Sequence, residues 1–222
     1  MISSNKSIKV CILTSVHCSF DIRIFQKEAK SLARAGYNVT LLSRHNKEEI
    51  VKGIKIVPLP NPKNRIERMT KIAWVVYRKA VKIDADIYHF HDPELIPIGL
   101  LLKHHGKRVV YDVHEDVPRH ILSKEHILGL FRKPVSAFIE ALEAFSSKRF
   151  DAVVTATPFI DRRFSELGAN TVNVNNFPIV SELKSAQNNW EMKEKAVCYV
   201  GGIARIRGAI EMVEAIGKTS YG

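Results

Sequence analysis

The sequence predicts an α/β chain: a doubly wound, mostly parallel, Rossmann-like sheet followed by a short incomplete second segment. Three observations predict it. Short apolar runs alternate with longer stretches of helical periodicity. Glycine and proline punctuate the exits from those runs. Titratable residues gather just after them, where an open parallel sheet has its ligand crevice.

Residues 8–14 are an apolar run bounded by polar residues, the expected first buried strand. Residues 22–37 place Ile24, Phe25, Ala29, Leu32 and Ala33 at helical spacing, and Gly36 closes that helix. Residues 38–43 read as the second strand, 44–53 as polar turn material and 54–59 as the third strand, its exit marked by Pro58, Pro60 and Pro62. A helix over 65–83 follows, with seven Lys or Arg between Lys63 and Lys82 against Glu67, and with Trp74 and Tyr77 among them. Such a helix can rest on anionic lipid, although Ile72, Val75, Val76 and Ala80 must also be buried. Residues 86–91 form the central strand, and Pro93 stops its pairing and opens a helix that Gly106 caps. A strand over 107–113 comes next. Residues 128–150 read as a long helix with Phe131, Val135, Phe138, Leu142 and Phe145 on one face, taken as core. Strands over 152–156 and 171–174 flank a helix opened by Pro158. The composition then turns polar, so residues 179–194 are read as a linker between a first domain, 1–178, and the start of a second, 195–222. That second piece holds an expected strand over 196–200, a Gly201-Gly202 turn and a helix over 206–216.

With 45% hydrophobic and 26% charged residues, the 222-residue chain has the composition of a soluble globular protein with a sizeable core. Its three cysteines are odd in number and lack CxxC spacing, which argues against a disulfide framework or a zinc site and fits a reducing compartment. The longest apolar stretch, 95–102, is too short to span a bilayer. The expectation is a cytoplasmic protein with a peripheral membrane contact through residues 63–82. The net charge of +11 favours phosphate groups of some kind. No helix-turn-helix, zinc finger or RNA-reading aromatic motif is present, so no nucleic-acid partner is expected.

Chemistry is expected at strand ends. The stretch from Asp86 to Glu94 places His91, Asp92 and Glu94 at the C-terminal end of the central strand, with His89 read as a packed histidine. A neutral imidazole at His91 would exchange protons near pH 7. The loop after the first strand lacks the glycines of a dinucleotide or P-loop site, which argues against NAD, excludes a P-loop and offers His17, Asp21 and Arg23 instead. A second cluster, with His114 and Glu115, follows the strand over 107–113. Imidazoles and carboxylates on one rim can hold a divalent ion, which makes a metal-dependent hydrolase the first competing enzyme class. The same acids also suit sugar hydroxyls, and no third strand end adds a histidine set, so no metal is assigned.

Five motifs stand in order along the chain: Phe20-Asp21-Ile22-Arg23-Ile24-Phe25 with the helix around Glu28; Tyr88-His89-Phe90-His91-Asp92-Pro93-Glu94; Tyr111-Asp112-Val113-His114-Glu115-Asp116; Asn175-Asn176-Phe177-Pro178; and Tyr199-Val200-Gly201-Gly202 followed by Arg207-Gly208. In order and separation they resemble glycosyltransferase family 4, a retaining family of the GT-B fold. The resemblance covers nearly the whole chain. It implies transfer of a sugar from a nucleotide-diphosphate donor to an acceptor, such as a cell-envelope glycan or a lipid-linked precursor, without a cofactor or an obligatory metal. By position His91 lies nearest the reacting sugar, and His17, Asp21, Arg23, Asp92, Glu94, His114 and Glu115 line the acceptor side. Donor binding falls to Gly201, Gly202, Arg205 and Arg207. Gly202 stands where the family has an arginine, Arg207 replaces its lysine, and Arg205 is placed to supply the missing charge. The family's donor-binding glutamates lie further into the second domain, so the expectation is an incomplete enzyme, inactive alone, with the exposed apolar face of Ile206, Ile210, Val213 and Ile216 poorly packed. A non-catalytic binding module is the alternative.

Overall fold

The computed structural model describes residues 7–123, 127–179, 191, 194, 196–203 and 207–219. They fall into two compact units, 1–176 and 177–222.

The first unit is built on β1 (Lys9–Cys18), β2 (Asn38–Arg44), β3 (Glu49–Val51), β4 (Ile54–Leu59), β5 (Ile87–Phe90), β6 (Arg108–Val113), β7 (Ala152–Thr155) and β8 (Thr171–Asn173). They form one sheet in the order β3-β4-β2-β1-β5-β6-β7-β8, parallel throughout except where β3 meets β4. The topology reverses between β1 and β5, and this is where a doubly wound sheet opens its crevice. Helices are α1 (residues 22–34), α2 (65–83), α3 (93–104), α4 (Val117–Leu122), α5 (Gly129–Ser147) and α6 (Pro158–Glu166).

The core is two-sided. Ile24, Phe25 and Ala29 of α1 pack on Val10, Ile12, Val39, Leu41, Ile54 and Ile56 on one face of the sheet. The opposite face carries α2, α3 and α6 through Val76, Leu102 and Phe164, over Tyr88, Phe90 and Tyr111. Helix α3 lies so close to the strands that a Cβ added at Gly99 would come within 2.7 Å of the Phe90 ring and 3.1 Å of Phe150. Two helices carry π-wound segments, Ile22–Ala29 in α1 and Arg68–Ile72 in α2. Both lie next to strand ends, as π-bulges at functional sites commonly do.

Several expectations need correction. Residues 44–53 are not all turn: Lys52 at φ 54° and Gly53 at φ 79° form a two-residue reversal, with both φ positive, that pairs β3 with β4. Helix α4 was not foreseen. On α5 only Leu142 of the apolar stripe packs against the core. Phe131, Phe138 and Phe145 are more than half exposed, whereas Ser136, Glu143, Ser146 and Ser147 are buried. Glu143 explains this inversion, because it accepts from Arg163 at 2.8 Å and from the Tyr111 hydroxyl at 3.2 Å, which fixes which face turns inward. A buried acid between two donors is satisfied, and its neighbours on that side are small.

In the second unit residues 196–200 are exposed and do not form the expected strand. A lone strand has no ladder to join. Helix α7 (Ala209–Gly217) has no buried residue, with Ile210 52%, Val213 71% and Ile216 42% exposed. Ile206 lies outside the described residues. Among the described residues, no helix is long and apolar enough to cross a membrane.

Candidate functional site

The rim begins with an irregularity in β1. Leu13 pairs with Leu42 and Cys18 with Arg44, so β1 advances five residues while β2 advances two, and the surplus loops out of the sheet. Asp92 holds that loop. Its Oδ2 accepts from the Thr14 hydroxyl at 2.9 Å, the Ser15 amide at 2.6 Å and the Val16 amide at 3.2 Å. Glu94 braces it from the side, accepting from the Ser15 hydroxyl at 2.7 Å and from Arg68 Nε at 2.5 Å. Of the residues expected to bind acceptor, Asp92 and Glu94 are thus engaged inside the protein, and their carboxylates aim the loop that carries His17.

Asp21 ends the loop as the N-cap of α1, accepting from the amides of Arg23 at 2.8 Å and Ile24 at 3.0 Å. Its other oxygen faces His17 Nδ1 at 3.1 Å. Burial alone would raise the Asp21 carboxyl, but the Ile24 amide, His17 and the Arg23 amide outweigh it and hold the pKa below the ordinary value.

Asp112, at the end of β6, is the hub. It is fully buried, and Arg23 grips it with Nε on Oδ1 at 3.1 Å and Nη2 on Oδ2 at 2.9 Å. Arg23 also reaches Glu28 at 3.0 Å and the Val174 carbonyl at 3.3 Å. Three histidines surround the same carboxylate: His89 at 3.5 Å, His91 at 3.8 Å and His114 at 3.8 Å. Burial would raise the Asp112 carboxyl, yet His114, His89 and His91 hold it well below the usual range. His91 has no exposed side-chain surface, and its Nε2 lies 3.2 Å from Glu28. Burial would depress the His91 imidazole, but Glu28, Asp112 and Asp92 push it up to about 9. The freely proton-exchanging His91 expected from the sequence is instead enclosed by two carboxylates that favour its protonated form, while burial raises the Glu28 carboxyl of the same pair.

Donor atoms of Glu28, His89, His91 and Asp112 lie within 4.8 Å of one another, a set that could hold a metal ion. Arg23 already faces both carboxylates, and a proton on His91 completes the balance of charge. A dication would have to displace that proton and tolerate the guanidinium. Charge balance favours the proton.

Two clefts open above this floor. One, of about 290 Å³, is lined by His17, Arg65, Arg68, His91, His114 and Glu115 among others. The second, of about 370 Å³, is lined by Asp21, Arg23, Thr157 and Asn176 together with His17, His114 and Glu115. The last three are shared by both clefts. The rings of His17 and His114 meet edge-on at 5.2 Å, and their side chains are 27% and 23% exposed. Glu115 is open, 3.4 Å from His120. The structure thus brings His17, Asp21, Arg23, His91, Asp92, His114 and Glu115 to one rim, and Glu94 beside it. Sequence reasoning did not assign Glu28 and Asp112 to the site. Their signal was a charged residue inside an otherwise apolar strand and an acid on α1 one helical face away from Asp21.

In the second unit, a Cβ on Gly201 would come 3.0 Å from the Tyr199 hydroxyl, which donates to the Gly202 carbonyl at 3.1 Å. Arg207 Nη1 would lie 3.6 Å from the same Cβ. With φ at 156° and this close contact the position favours glycine, with a cation beside it. Arg205 lies outside the described residues.

Comparison with known proteins agrees with this architecture. The model of Glycosyltransferase Family 4 matches residues 23–175. No individually curated protein matches the chain. Among solved structures, a sucrose-phosphate synthase from Thermosynechococcus elongatus superposes with TM-score 0.60 at 15% identity, covering 77% of this chain and 48% of its own. A second structure of that synthase gives 0.52 at 14% identity, covering 95% and 97%. A UGT transferase from Siraitia grosvenorii, in complex with UDP, gives 0.51 at 12% identity, covering 78% and 51%. The chain thus spans about half the length of the first and third of these. The likeness extends to the Rossmann-like sheet of the GT-B fold. With more than half of its length matched by the family model, and with the rim motifs in place on that sheet, the chain belongs to glycosyltransferase family 4.

Proposed function

We propose that this chain supplies the acceptor-side domain of a glycosyltransferase that moves a sugar from a nucleotide-diphosphate donor to a cell-envelope glycan or lipid-linked precursor, with retention. The observation that carries the reading is the convergence of three strand ends, β1, β5 and β6, on two clefts that share His17, His114 and Glu115. These open groups offer donors and an acceptor suited to hydroxyls. Beneath them the network of His91, Glu28, Asp112 and Arg23 fixes the floor on which these groups are set. Gly201, Gly202 and Arg207 would meet the donor diphosphate, the glycines by close backbone approach and the arginine by its fork. No step in this scheme requires a metal or an organic cofactor.

Retaining transfer needs the diphosphate stabilised as its bond to the sugar breaks, and Arg207 beside the Gly201 turn is the cation of this segment that would serve it. The test is a thermal-shift screen of nucleotide sugars against this chain and against the protein carrying a full donor domain. Selective stabilisation of the latter by one nucleotide sugar supports the reading, and no stabilisation of either by any nucleotide sugar contradicts it.

A further inference from the structure

At the end of the sheet opposite the rim, between the close of α1 and the β3–β4 reversal, lies an opening that the proposed transfer does not use. It is a cleft of about 330 Å³ lined by Lys30, Ala33, Arg34, Tyr37, Lys52 and Gly53. Half of these residues are cations and none is an acid. Strand β2 starts directly after Tyr37 and reaches the rim at Arg44, about 20 Å further on. The cleft is therefore separate from the two that share His17, His114 and Glu115.

The local sequence fixes its walls. Gly36, at φ 88°, ends α1: its amide donates to the Ala33 carbonyl at 3.1 Å, and the Tyr37 amide donates to the Leu32 carbonyl at 3.1 Å. Tyr37 is thereby pinned, half-buried, at the helix end. Lys52 holds the first position of the reversal at φ 54°, where asparagine, aspartate or glycine is the usual occupant. A lysine there strains the backbone and brings a charge that the turn itself does not need. Lys30 and Arg34 stand one turn apart on α1, a like-charged pair that weakens a helix. Both complement the C-terminal end of α1, but Lys52 comes from another element and adds nothing to that helix. Lys30 donates to the Gln26 side chain at 2.9 Å, and among the described residues none of the three cations is paired with a carboxylate.

We propose that this cleft binds a phosphate ester whose organic part carries hydroxyl groups, a sugar phosphate or a nucleotide. Converging cations without an acid select a multiply charged anion, and a phosphomonoester offers up to two charges on three acceptor oxygens. Arg34 supplies a planar fork of donors, and Lys30 and Lys52 supply point charges from the two walls. The Tyr37 phenol adds a group that both donates and accepts, which suits a hydroxyl beside the phosphate. The volume agrees, because a cleft of about 330 Å³ holds a small organic molecule and is far larger than an inorganic anion. Helix α1 runs from this cleft to Asp21, Arg23 and Glu28, so the ligand would touch the element that builds the floor of the rim. The binding does not depend on glycosyl transfer, so its test reads binding alone.

The test is isothermal titration calorimetry of the 222-residue chain, in buffer free of phosphate and sulfate, with glucose 6-phosphate, AMP, glucose, adenosine and inorganic phosphate. One or both esters are expected to bind about ten-fold or more tighter than inorganic phosphate and than the matching unphosphorylated compound, and the tighter ester names the source. Arg34→Gln with Lys52→Asn is expected to weaken that ester by about ten-fold or more, and Tyr37→Phe by about three-fold. Asparagine suits the reversal at residue 52, and an unchanged circular dichroism spectrum and melting temperature will show that the variants fold. The proposal is overturned if neither ester binds, or if inorganic phosphate binds as tightly as both. It is also overturned if the double variant binds like the wild type, or if affinity is lost instead with His114→Ala at the rim or Arg207→Gln in the second unit.

Discussion

The floor and the lip of the rim use the same residue types for opposite purposes. On the floor, buried His91, Asp112 and Arg23 and half-buried Glu28 neutralise one another, so each group is held in place by the others. At the lip, His17, His114 and Glu115 line two clefts and keep part of their side-chain surface open. A histidine two residues along the same strand end can thus be structural while its counterpart on the next strand is available for binding. Burial and partners decide the role; residue type does not.

If that division is right, substitutions should separate stability from binding. The largest effect on stability belongs to Arg23→Ala, which leaves Asp112 and Glu28 buried without their cation. Urea unfolding should show a loss of about 3–5 kcal/mol. A loss below about 1 kcal/mol would mean that the floor is not a coupled charge network.

The next effect is in pH. The folded His91 pKa is raised to about 9 from an ordinary value of 6.5. A raised imidazole contributes stability that is fully present below the unfolded pKa and is lost as pH climbs through the folded one. Stability should therefore fall by up to about 3 kcal/mol between about pH 6.5 and pH 9. His91→Gln should lack that fall. A wild-type stability that is flat across the window would contradict the imidazolium.

Asp21 lies between floor and lip, as cap of α1 and partner of His17. Asp21→Ala should cost about 1 kcal/mol through the lost cap, measured by thermal unfolding, with Asp21→Asn recovering most of it. The smallest stability effect belongs to the lip. His114→Ala should change the unfolding free energy by less than about 1 kcal/mol.

The contrast also explains what the sequence could reveal. Periodicity located the parallel strands because β1 and β2 are apolar runs buried on both sides and the others follow the same spacing, and strand ends located His91 and His114 because topology alone puts them on one rim. The hairpin at Lys52-Gly53 was legible in principle, since two adjacent residues at positive φ fit a short polar pair, but β3 is only three residues long and has no hydrophobic run of its own. Helix α5 misled because its apolar stripe obeys the helical period perfectly well, while the face turned inward is decided by Glu143, whose partners Tyr111 and Arg163 lie 32 and 20 residues away. The protonation of His91 was illegible for the same reason. It depends on Glu28, 63 residues earlier, and on a strand-to-helix contact that no local pattern carries. Asp92 looked like a binding group for its place after a strand, and its real partners are the amides of a loop more than 75 residues upstream.

The central claim is that the lip binds acceptor and the floor builds the site, and the most direct measurement is a paired one on the protein carrying a full donor domain. Unfolding free energy and acceptor kcat/KM are measured side by side for His114→Ala and Asp112→Asn. The account predicts that His114→Ala keeps its stability and loses kcat/KM by about 10²-fold or more, whereas Asp112→Asn loses several kcal/mol of stability. A His114→Ala enzyme with wild-type kcat/KM, or an Asp112→Asn protein as stable as the wild type, would contradict it.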